Sequence, residues 1–424
     1  MVQVIALIDS NNFYASCEQS MDPSLRGKPL VILSNNDGCI IARSPEARQL
    51  GISMGTAYFK VRRRLENLNI YVRSSNYALY GDMSQRLMSL LEIHCEALEI
   101  YSIDEAFARL ERPIGNSLYP WARRLRELIY QNLGLPIAIG IGPNKVQAKL
   151  ANHLAKTTTK NTGIFDCCDV KDLEVTLEKI SVEDIWGIGN SMSRWCRLQG
   201  INSAKQLKDI DNNKLRAKYG IKGIRLKKEL QGDTCFPLVT KPAKKKETCV
   251  SRSFKEYITS LTELREVISS QVIKASEKLR KQKQKTKSIT IFARTSPYSP
   301  SFYSKSATIN LDIASNNTQD ILHVSLAIIN KIFKPNTPII KTGVIMQGLQ
   351  DDNYLQQHLL INRSNEEEAK YERLIKVIDN INIRYGNRGI GWAICNPNQN
   401  PRIHSKALSH SSTTRIEEIP IAKA

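Results

Sequence analysis

No stretch of this chain approaches the roughly 18 consecutive apolar residues that a membrane-spanning helix needs. Its first residues, Met1-Val2-Gln3, lack a basic start and run into an apolar segment ending in Asp9, which argues against a secretory signal. There is no C-x-x-C pair, and the 9 cysteines are scattered and odd in number. That pattern excludes a disulfide framework or a cysteine zinc site and suits a reduced cytosol, so a cytoplasmic location is expected. The vicinal Cys167 and Cys168 read as idle thiols. Acid is also scarce: 41 Asp+Glu face 61 Lys+Arg, a net charge of +20. Such a surface calls for a polyanionic partner, with nucleic acid ahead of a membrane. The length of 424 residues allows two to four domains with proper cores.

What is present centres on Tyr101-Ser102-Ile103-Asp104-Glu105-Ala106-Phe107. Leu98 and Ile100 alternate with polar neighbours, as in a half-buried strand. Neighbouring side chains on a regular strand point to opposite faces, so Asp104 and Glu105 serve one site only if a bend or bulge turns them together. Taken alone, an Asp-Glu pair is most often a pair of ordinary turn acids. A third acid, Asp9, closes the apolar run Val4–Ile8. Three carboxylates at strand ends suit hard, oxygen-seeking Mg2+ or Mn2+. Asn12, Phe13 and Tyr14 follow where a helix should start, and helix N-termini attract phosphate.

Taken in order, residues 22–74 form a small insert, with strands at Lys28–Leu33 and Cys39–Ala42 around a turn at Ser34–Gly38. Pro45–Gly51 reads as a short helix, and Arg62–Arg64 either as a charged, solvated face or as a specific contact. Residues 77–97 space Tyr80, Met83, Leu87, Leu90 and Leu91 as an amphipathic helix. A helix over Tyr119–Leu133, a strand over Pro136–Gly142 and a helix from Pro143 to Lys156 follow. This alternation predicts a mixed α/β core with Asp9 and Asp104 on neighbouring strands. Residues 168–235 read as short helices. Gly187 and Gly189 make a turn whose amides can approach a DNA phosphate, and Tyr219–Gly223 offers a second. Residues 236–250 read as a linker containing Lys244, Lys245 and Lys246. Residues 248–347 then run β-α-β-β-α-β, the split motif of ferredoxin-like folds. Lys241 to Lys287 carries 14 Lys/Arg against 5 Asp/Glu, and Lys283, Lys285 and Lys287 alternate as a backbone-binding row would. Glu366–Asn382 reads as a helix by pattern, and the remainder as a tail that orders only on a partner.

At these residues the sequence closely resembles the Y-family translesion DNA polymerases of the UmuC type, over nearly its full length. The carriers are Asp9 with Phe13-Tyr14, Ser102–Phe107, Ala148–His153, Ser34–Cys39, Leu408-Ser409, Thr413–Arg415 and Ile419-Pro420. The resemblance implies an α+β, multidomain right-hand polymerase. Its ferredoxin-like palm would be residues 1–21 and 75–167, and its small fingers 22–74. The helix-hairpin-helix thumb would be 168–235, the linker 236–241, the split β-α-β little finger 242–349 and a UmuC-type C-terminal region 350–424. It implies low-fidelity, template-directed DNA synthesis opposite damaged bases in the SOS response, by two-metal phosphoryl transfer. Asp9, Asp104 and Glu105, with the Ser10 carbonyl, would hold two Mg2+ ions, for which Mn2+ substitutes. Asn12, Phe13, Arg48 and Lys156 would bind the dNTP. Tyr14 would be a steric gate that refuses a ribose 2′-oxygen. Short side chains over residues 41–45 would roof the nascent pair and check its shape poorly. The implied partners are primer-template DNA, dNTP, a UmuD′ dimer, activated RecA and the β sliding clamp. The clamp would be held weakly at Gln357, Leu360 and Ile361, since Ile361 stands where the family has Phe. Pro45 likewise stands where many members place a triphosphate-binding tyrosine. Two rival readings are a two-metal nuclease or nucleotide cyclase on a palm-like sheet, and a non-catalytic DNA-binding scaffold.

Overall fold

The computed structural model describes residues 2–159, 162–170, 172–352, 365–385, 389–395, 405–410, 413 and 418–419. It falls into two compact units, Met1–Pro242 with Ser405–Ala424, and Ala243–His404. Among the described residues no helix is long and apolar enough to cross a membrane.

The first unit begins with β1 (Val2–Ser10) and α1 (Phe13–Met21). A three-stranded subdomain follows: β2 (Leu30–Leu33), β3 (Ile40–Arg43), α2 (Pro45–Gln49), α3 (Tyr58–Asn67) and β4 (Tyr71–Ser74). Its strand order is β3-β2-β4, with β4 parallel to β2. The charged Arg62–Arg64 run lies on α3, which buries Leu65 alone and packs Tyr58 and Val61 against the subdomain core. Next come α4 (Tyr77–His94), β5 (Ala97–Ile100), β6 (Glu105–Arg112), α5 (Tyr119–Leu133), β7 (Ile137–Gly142), α6 (Lys145–Thr157) and β8 (Ile164–Asp166). The main sheet has the order β5-β6-β1-β7-β8.

Both faces of that sheet are covered, which is why β1 reads as a continuous apolar run rather than an alternation. Val4, Ala6 and Ile8 face a core shared with α1, α4 and α5. Leu7 and Phe107 face the other way, onto Ala148 of α6. α6 can lie this close because β7 carries Gly140. A Cβ there would sit 2.0 Å from the Asn152 nitrogen.

The unit continues with α7 (Leu173–Glu178), α8 (Asn190–Leu198), α9 (Ala204–Asp209) and α10 (Asn212–Leu230) around their own core. α10 breaks at Gly220, whose φ of 59° and ψ of −150° are not helical. The Tyr219–Gly223 turn expected between helices is therefore this kink. Gly187, with φ 92°, makes the turn before α8 in a region of backbone space open to glycine.

The expectation that the C-terminal tail orders only on a partner is corrected for residues 405–410, which pack on the chain's own first unit. The Ser74 amide donates to the Ala407 carbonyl at 2.9 Å, and the Ala407 amide to Ser74 Oγ at 3.1 Å. These residues extend the exposed edge at the end of β4.

The second unit contains β9 (Glu247–Ile258), α11 (Leu261–Lys281), β10 (Gln284–Arg294), β11 (Ser304–Ser315), α12 (Thr318–Ile332), β12 (Ile339–Gln347), the short β13 (Gln350–Asp351) and α13 (Asn365–Tyr385). The succession is the expected β-α-β-β-α-β. The sheet order, β11-β10-β12-β9, sets the second and fourth strands of the motif side by side at the centre, a matter the succession alone does not decide. α11 and α12 cover one face. α13 is held to α11 by a bidentate pair, Arg280 Nε and Nη2 to the Asp379 carboxylate at 2.7 and 2.8 Å.

Candidate active site

The register of β1 and β6 places Asp9 directly opposite Glu105. Opposed residues of an antiparallel pair share a face. That face also carries Leu7 and Phe107, so both acids look towards α6. Asp104 lies in the turn just before β6, where its carbonyl accepts from the Ser10 amide at 2.8 Å. The turn is tied by Ser102 Oγ, which accepts from the amides of Asp104 and Glu105 at 3.3 and 3.2 Å and donates to the Asp104 carboxylate. A turn followed by a strand end thus gives the two adjacent acids independent directions.

α6 answers the acids with a row of cations. Lys145, Lys149 and Lys156 recur at spacings of four and seven residues, one helix face. Lys149 Nζ contacts both oxygens of Glu105 at 2.8 and 2.9 Å. Lys156 Nζ lies 2.6 Å from Asp9 Oδ1. Lys145 pairs with Glu99, the residue opposite Phe107 on β5. Asn152, on the same face, donates to the Ala138 carbonyl at 2.9 Å and fastens the helix to the sheet. Burial pushes the Asp9 carboxyl up to about 6, with Lys156 opposing the rise and Asp104 and Glu105 adding to it.

Four observations bear on a cation at this place. The donors are hard carboxylate oxygens. Burial and the repulsion of Asp104 and Glu105 raise the Asp9 carboxyl even with Lys156 beside it. Among the described residues, the buried Ser10 Oγ and Asn11 Oδ1 beside them have no hydrogen-bond partner. Lysine ammonium groups already neutralise two of the three acids. Among the described residues, no three acidic, His or Cys side chains close on one ion position as they stand. The residues fit divalent cations in chemistry, and in this structure Lys156 occupies Asp9 Oδ1.

Asn12 caps α1 with φ 51° and makes no side-chain cap bond, so its side chain satisfies none of the first α1 amides. Phe13 is buried in the core. Tyr14 is half-buried and stacks on Tyr80, with ring centres 4.4 Å apart and planes at 14°. Burial, then Tyr77 and Asp104, push the pKa of its hydroxyl up, so that it stays protonated. Asp104 therefore lies near both Asp9 and Tyr14. The structure brings together Asp9, Ser10, Asp104, Glu105, Tyr14 and Lys156. Arg48 is exposed in the last turn of α2.

The expected DNA-facing residues vary in freedom. Lys245, Lys246 and Lys283 are exposed, whereas Lys244 is paired to Asp351 at 2.6 Å and Lys285 to Asp352 at 3.1 Å. Lys287 donates to the Asp312 carbonyl. Gly187 and Gly189 flank the loop into α8, and the adjoining Trp186 donates to the Tyr101 hydroxyl at 3.1 Å. Gln357, Leu360 and Ile361 lie outside the described residues. Sequence reading missed Lys149, Glu18 and Tyr80. The seven-residue spacing of Lys149 and Lys156 was the available signal for the first.

Comparison with known proteins gives the same picture. Residues 8–153 match the impB/mucB/samB family, and residues 245–359 match that family's C-terminal domain. Residues 372–422 match a domain of unknown function. The chain is 35% identical to protein UmuC of Salmonella typhimurium over 98% of its own length and 99% of the relative's. It is 34% identical to protein MucB of Escherichia coli, covering 99% of each. DNA polymerase IV of Picrophilus torridus shares 28% identity over 83% of this chain and 99% of that one. Among solved structures, a Y-family DNA polymerase chimera of Dbh and Dpo4 superposes with TM-score 0.67 at 20% identity, over 82% of this chain and 99% of that chain. An insertion ternary complex of Dbh DNA polymerase gives 0.53 at 17% identity, over 82% and 99%. The strand-paired acids, the fold and the near full-length identity agree: the chain belongs to the impB/mucB/samB family and is a UmuC-type, Y-family DNA-directed DNA polymerase, a low-fidelity enzyme of translesion synthesis.

Proposed function

We propose that Asp9, Asp104 and Glu105 are the catalytic acids of this polymerase and that Mg2+ is its physiological ion, in the SOS response to DNA damage. Family members depend on divalent cations. The observation that supports this reading is the register pair Asp9 and Glu105, with Asp104 hydrogen-bonded across to Ser10. Bound there, with the Ser10 carbonyl as a further ligand, two such cations supply acidity to the primer 3′-hydroxyl and positive charge to the departing pyrophosphate.

The chain's own residues do the rest. Asp9, Asp104 and Glu105 hold negative charge at one strand edge. Lys149 keeps Glu105 oriented from α6. Lys156, once released from Asp9, is a cation beside the triphosphate, with Arg48 as a second. The α1 amides around Asn12 and Phe13 donate to phosphate oxygens. Tyr14 crowds a ribose 2′-oxygen and admits deoxyribose.

In this reading residues 1–21 and 75–167 are the palm, 22–74 the fingers, 168–235 the thumb and 242–349 the little finger. Gly187 and Gly189, with the exposed Lys245, Lys246 and Lys283, follow the backbone of primer-template DNA. A UmuD′ dimer, activated RecA and, weakly, the β sliding clamp are its partners in the cell.

The test is primer extension across an abasic site by the full-length protein with Mg2+, a UmuD′ dimer and activated RecA. Extension by the wild type and none by Asp104→Ala is expected. Equal extension by both would remove Asp104 from the chemistry.

A further inference from the structure

The segment 405–410 does more than cover the end of β4. The Lys406 amide donates to Asp37 Oδ2 at 3.1 Å, and Asp37 Oδ1 accepts from Ser74 Oγ at 2.7 Å, so the segment also fastens the turn at Ser34–Gly38. Asn76 Nδ2 donates to Ser409 Oγ at 3.0 Å, while Asn76 Oδ1 caps α4 by accepting from the Leu79 amide at 3.2 Å. Ser409 Oγ donates to Glu18 Oε1 at 3.1 Å. The same oxygen accepts from the Tyr80 hydroxyl at 2.7 Å.

Glu18 and Tyr80 are 1% and 0% exposed. A buried carboxylate oxygen with two hydroxyl donors is costly to leave half-satisfied. Burial pushes the Glu18 carboxyl up, and the Tyr80 and Ser409 hydroxyls act against that. Tyr80 is the ring on which Tyr14 stacks. Tyr77 meets the Tyr14 edge, with centres 6.1 Å apart and planes at 87°. Tyr77 and Tyr80 both sit in the first turns of α4, the end that Asn76 caps. Two routes therefore run from the C-terminal segment to the Tyr14 ring. One passes through Glu18 and Tyr80, the other through Asn76 and the start of α4.

We propose that residues 405–410 are a brace for the sugar gate, in which Ser409, through Glu18 and Tyr80, fixes the plane of the Tyr14 ring and so sets how strongly a ribonucleotide is refused. This rests on the gate reading of Tyr14 given above. It assigns a role to part of the segment 372–422, which matches a domain of unknown function. Ser409 is a positioning residue: it touches neither nucleotide nor metal ligand. A ring free to tilt on Tyr80 yields to a 2′-hydroxyl, whereas a ring held flat against it clashes.

The experiment compares full-length wild type, Tyr14→Ala, Ser409→Ala, Ser409→Thr and Tyr80→Phe. The first readout is the ratio of kcat/KM for a dNTP to that for its ribonucleotide, in the same extension assay. The second is amide hydrogen exchange at Ser74 and Leu79. Tyr14→Ala should collapse the ratio. Ser409→Ala and Tyr80→Phe should lower it about tenfold, the worth of one hydrogen bond to a buried charged group. Their dNTP kcat/KM should stay within about threefold of wild type. Ser409→Thr should restore the ratio, and Ser409→Ala should speed exchange at both amides.

A ratio unchanged in Ser409→Ala and Tyr80→Phe, with a collapse in Tyr14→Ala, overturns the brace and leaves the gate. An unchanged ratio in Tyr14→Ala overturns the gate, and the brace with it. Equal losses for both nucleotides in Ser409→Ala mark a merely structural role and overturn the brace. Unchanged exchange at Ser74 and Leu79 overturns the docking on which it depends.

Discussion

Gly140→Ala should damage this protein more than any other exchange of a single hydrogen for a methyl group in the main sheet. The new Cβ would lie 2.0 Å from the Asn152 nitrogen, 2.4 Å from the Ala148 oxygen and 2.6 Å from the Ala151 carbon. All three are backbone atoms, so no rotamer change relieves the clash. Ordinary contact needs about 3.5 Å, so α6 must withdraw by about 1.5 Å. That movement breaks the Asn152 bond to the Ala138 carbonyl, now 2.9 Å, and leaves a buried amide unsatisfied. Overpacking costs about 1–3 kcal/mol and the orphaned amide about as much again, while the lost glycine freedom returns roughly 0.5–1. The net is about 3 kcal/mol, or about two orders of magnitude in the folded-to-unfolded ratio. Urea unfolding followed by fluorescence suits the measurement, because Trp121, Trp186 and Trp195 all lie in the first unit. The midpoint should fall by about 1–1.5 M. Primer extension should fall with it, since Lys149 and Lys156 ride on the displaced helix. A midpoint within about 0.2 M of wild type would show that α6 does not depend on the bare strand.

Asp9 gives a prediction in pH. Its folded-state carboxyl is raised to about 6 from 3.8, so between those values the folded protein holds a proton that the unfolded chain has lost. Stability contributed by the protonated form is complete below about pH 4 and falls as pH rises through about 6, by up to about 3 kcal/mol. Asp9→Asn, compared with wild type in the presence of a chelator, should therefore be the more stable protein at pH 8 and lose that advantage by pH 4. A difference in melting temperature that is constant with pH would refute it. In the second unit, Asp379→Ala leaves the Arg280 guanidinium, 12% exposed, without its carboxylate. A loss of about 2 kcal/mol and faster hydrogen exchange along α13 are expected, and unaltered exchange would count against the pair as the fastening.

Much of the architecture is legible in the sequence. The second unit follows its predicted succession because its strands alternate and its helices carry long apolar stripes. Asp9 is legible as a strand end because it closes an apolar run, whereas Asp104, expected on the neighbouring strand, lies in the turn before it and Glu105 takes the place opposite Asp9. The elements that escaped are short or poorly patterned. β8 is three residues long, β4 is parallel and carries Arg73, and α3 buries Leu65 alone beneath a run of arginines. Within the site, Lys156 and its spacing from Lys149 are legible, but the acids they pair with are not, because those acids lie on distant strands. Lys149 and Glu105 are separated by 44 residues. The tail escaped for a different reason. Lys406–His410 adheres through amides, carbonyls and small hydroxyls, which leave no hydrophobic signature.

The pairing of Ala407 with Ser74 spans 333 positions of chain. At about 5–20 residues per second, a ribosome that has just made β4 needs roughly 20–70 s more before its partner exists. Throughout that interval the edge is open, and a message cut short by an early stop codon never closes it. Translation through residue 410 is thus what completes the proposed support of the Tyr14 ring. A truncated mutator would emerge with its acids in place and its finishing stitch missing.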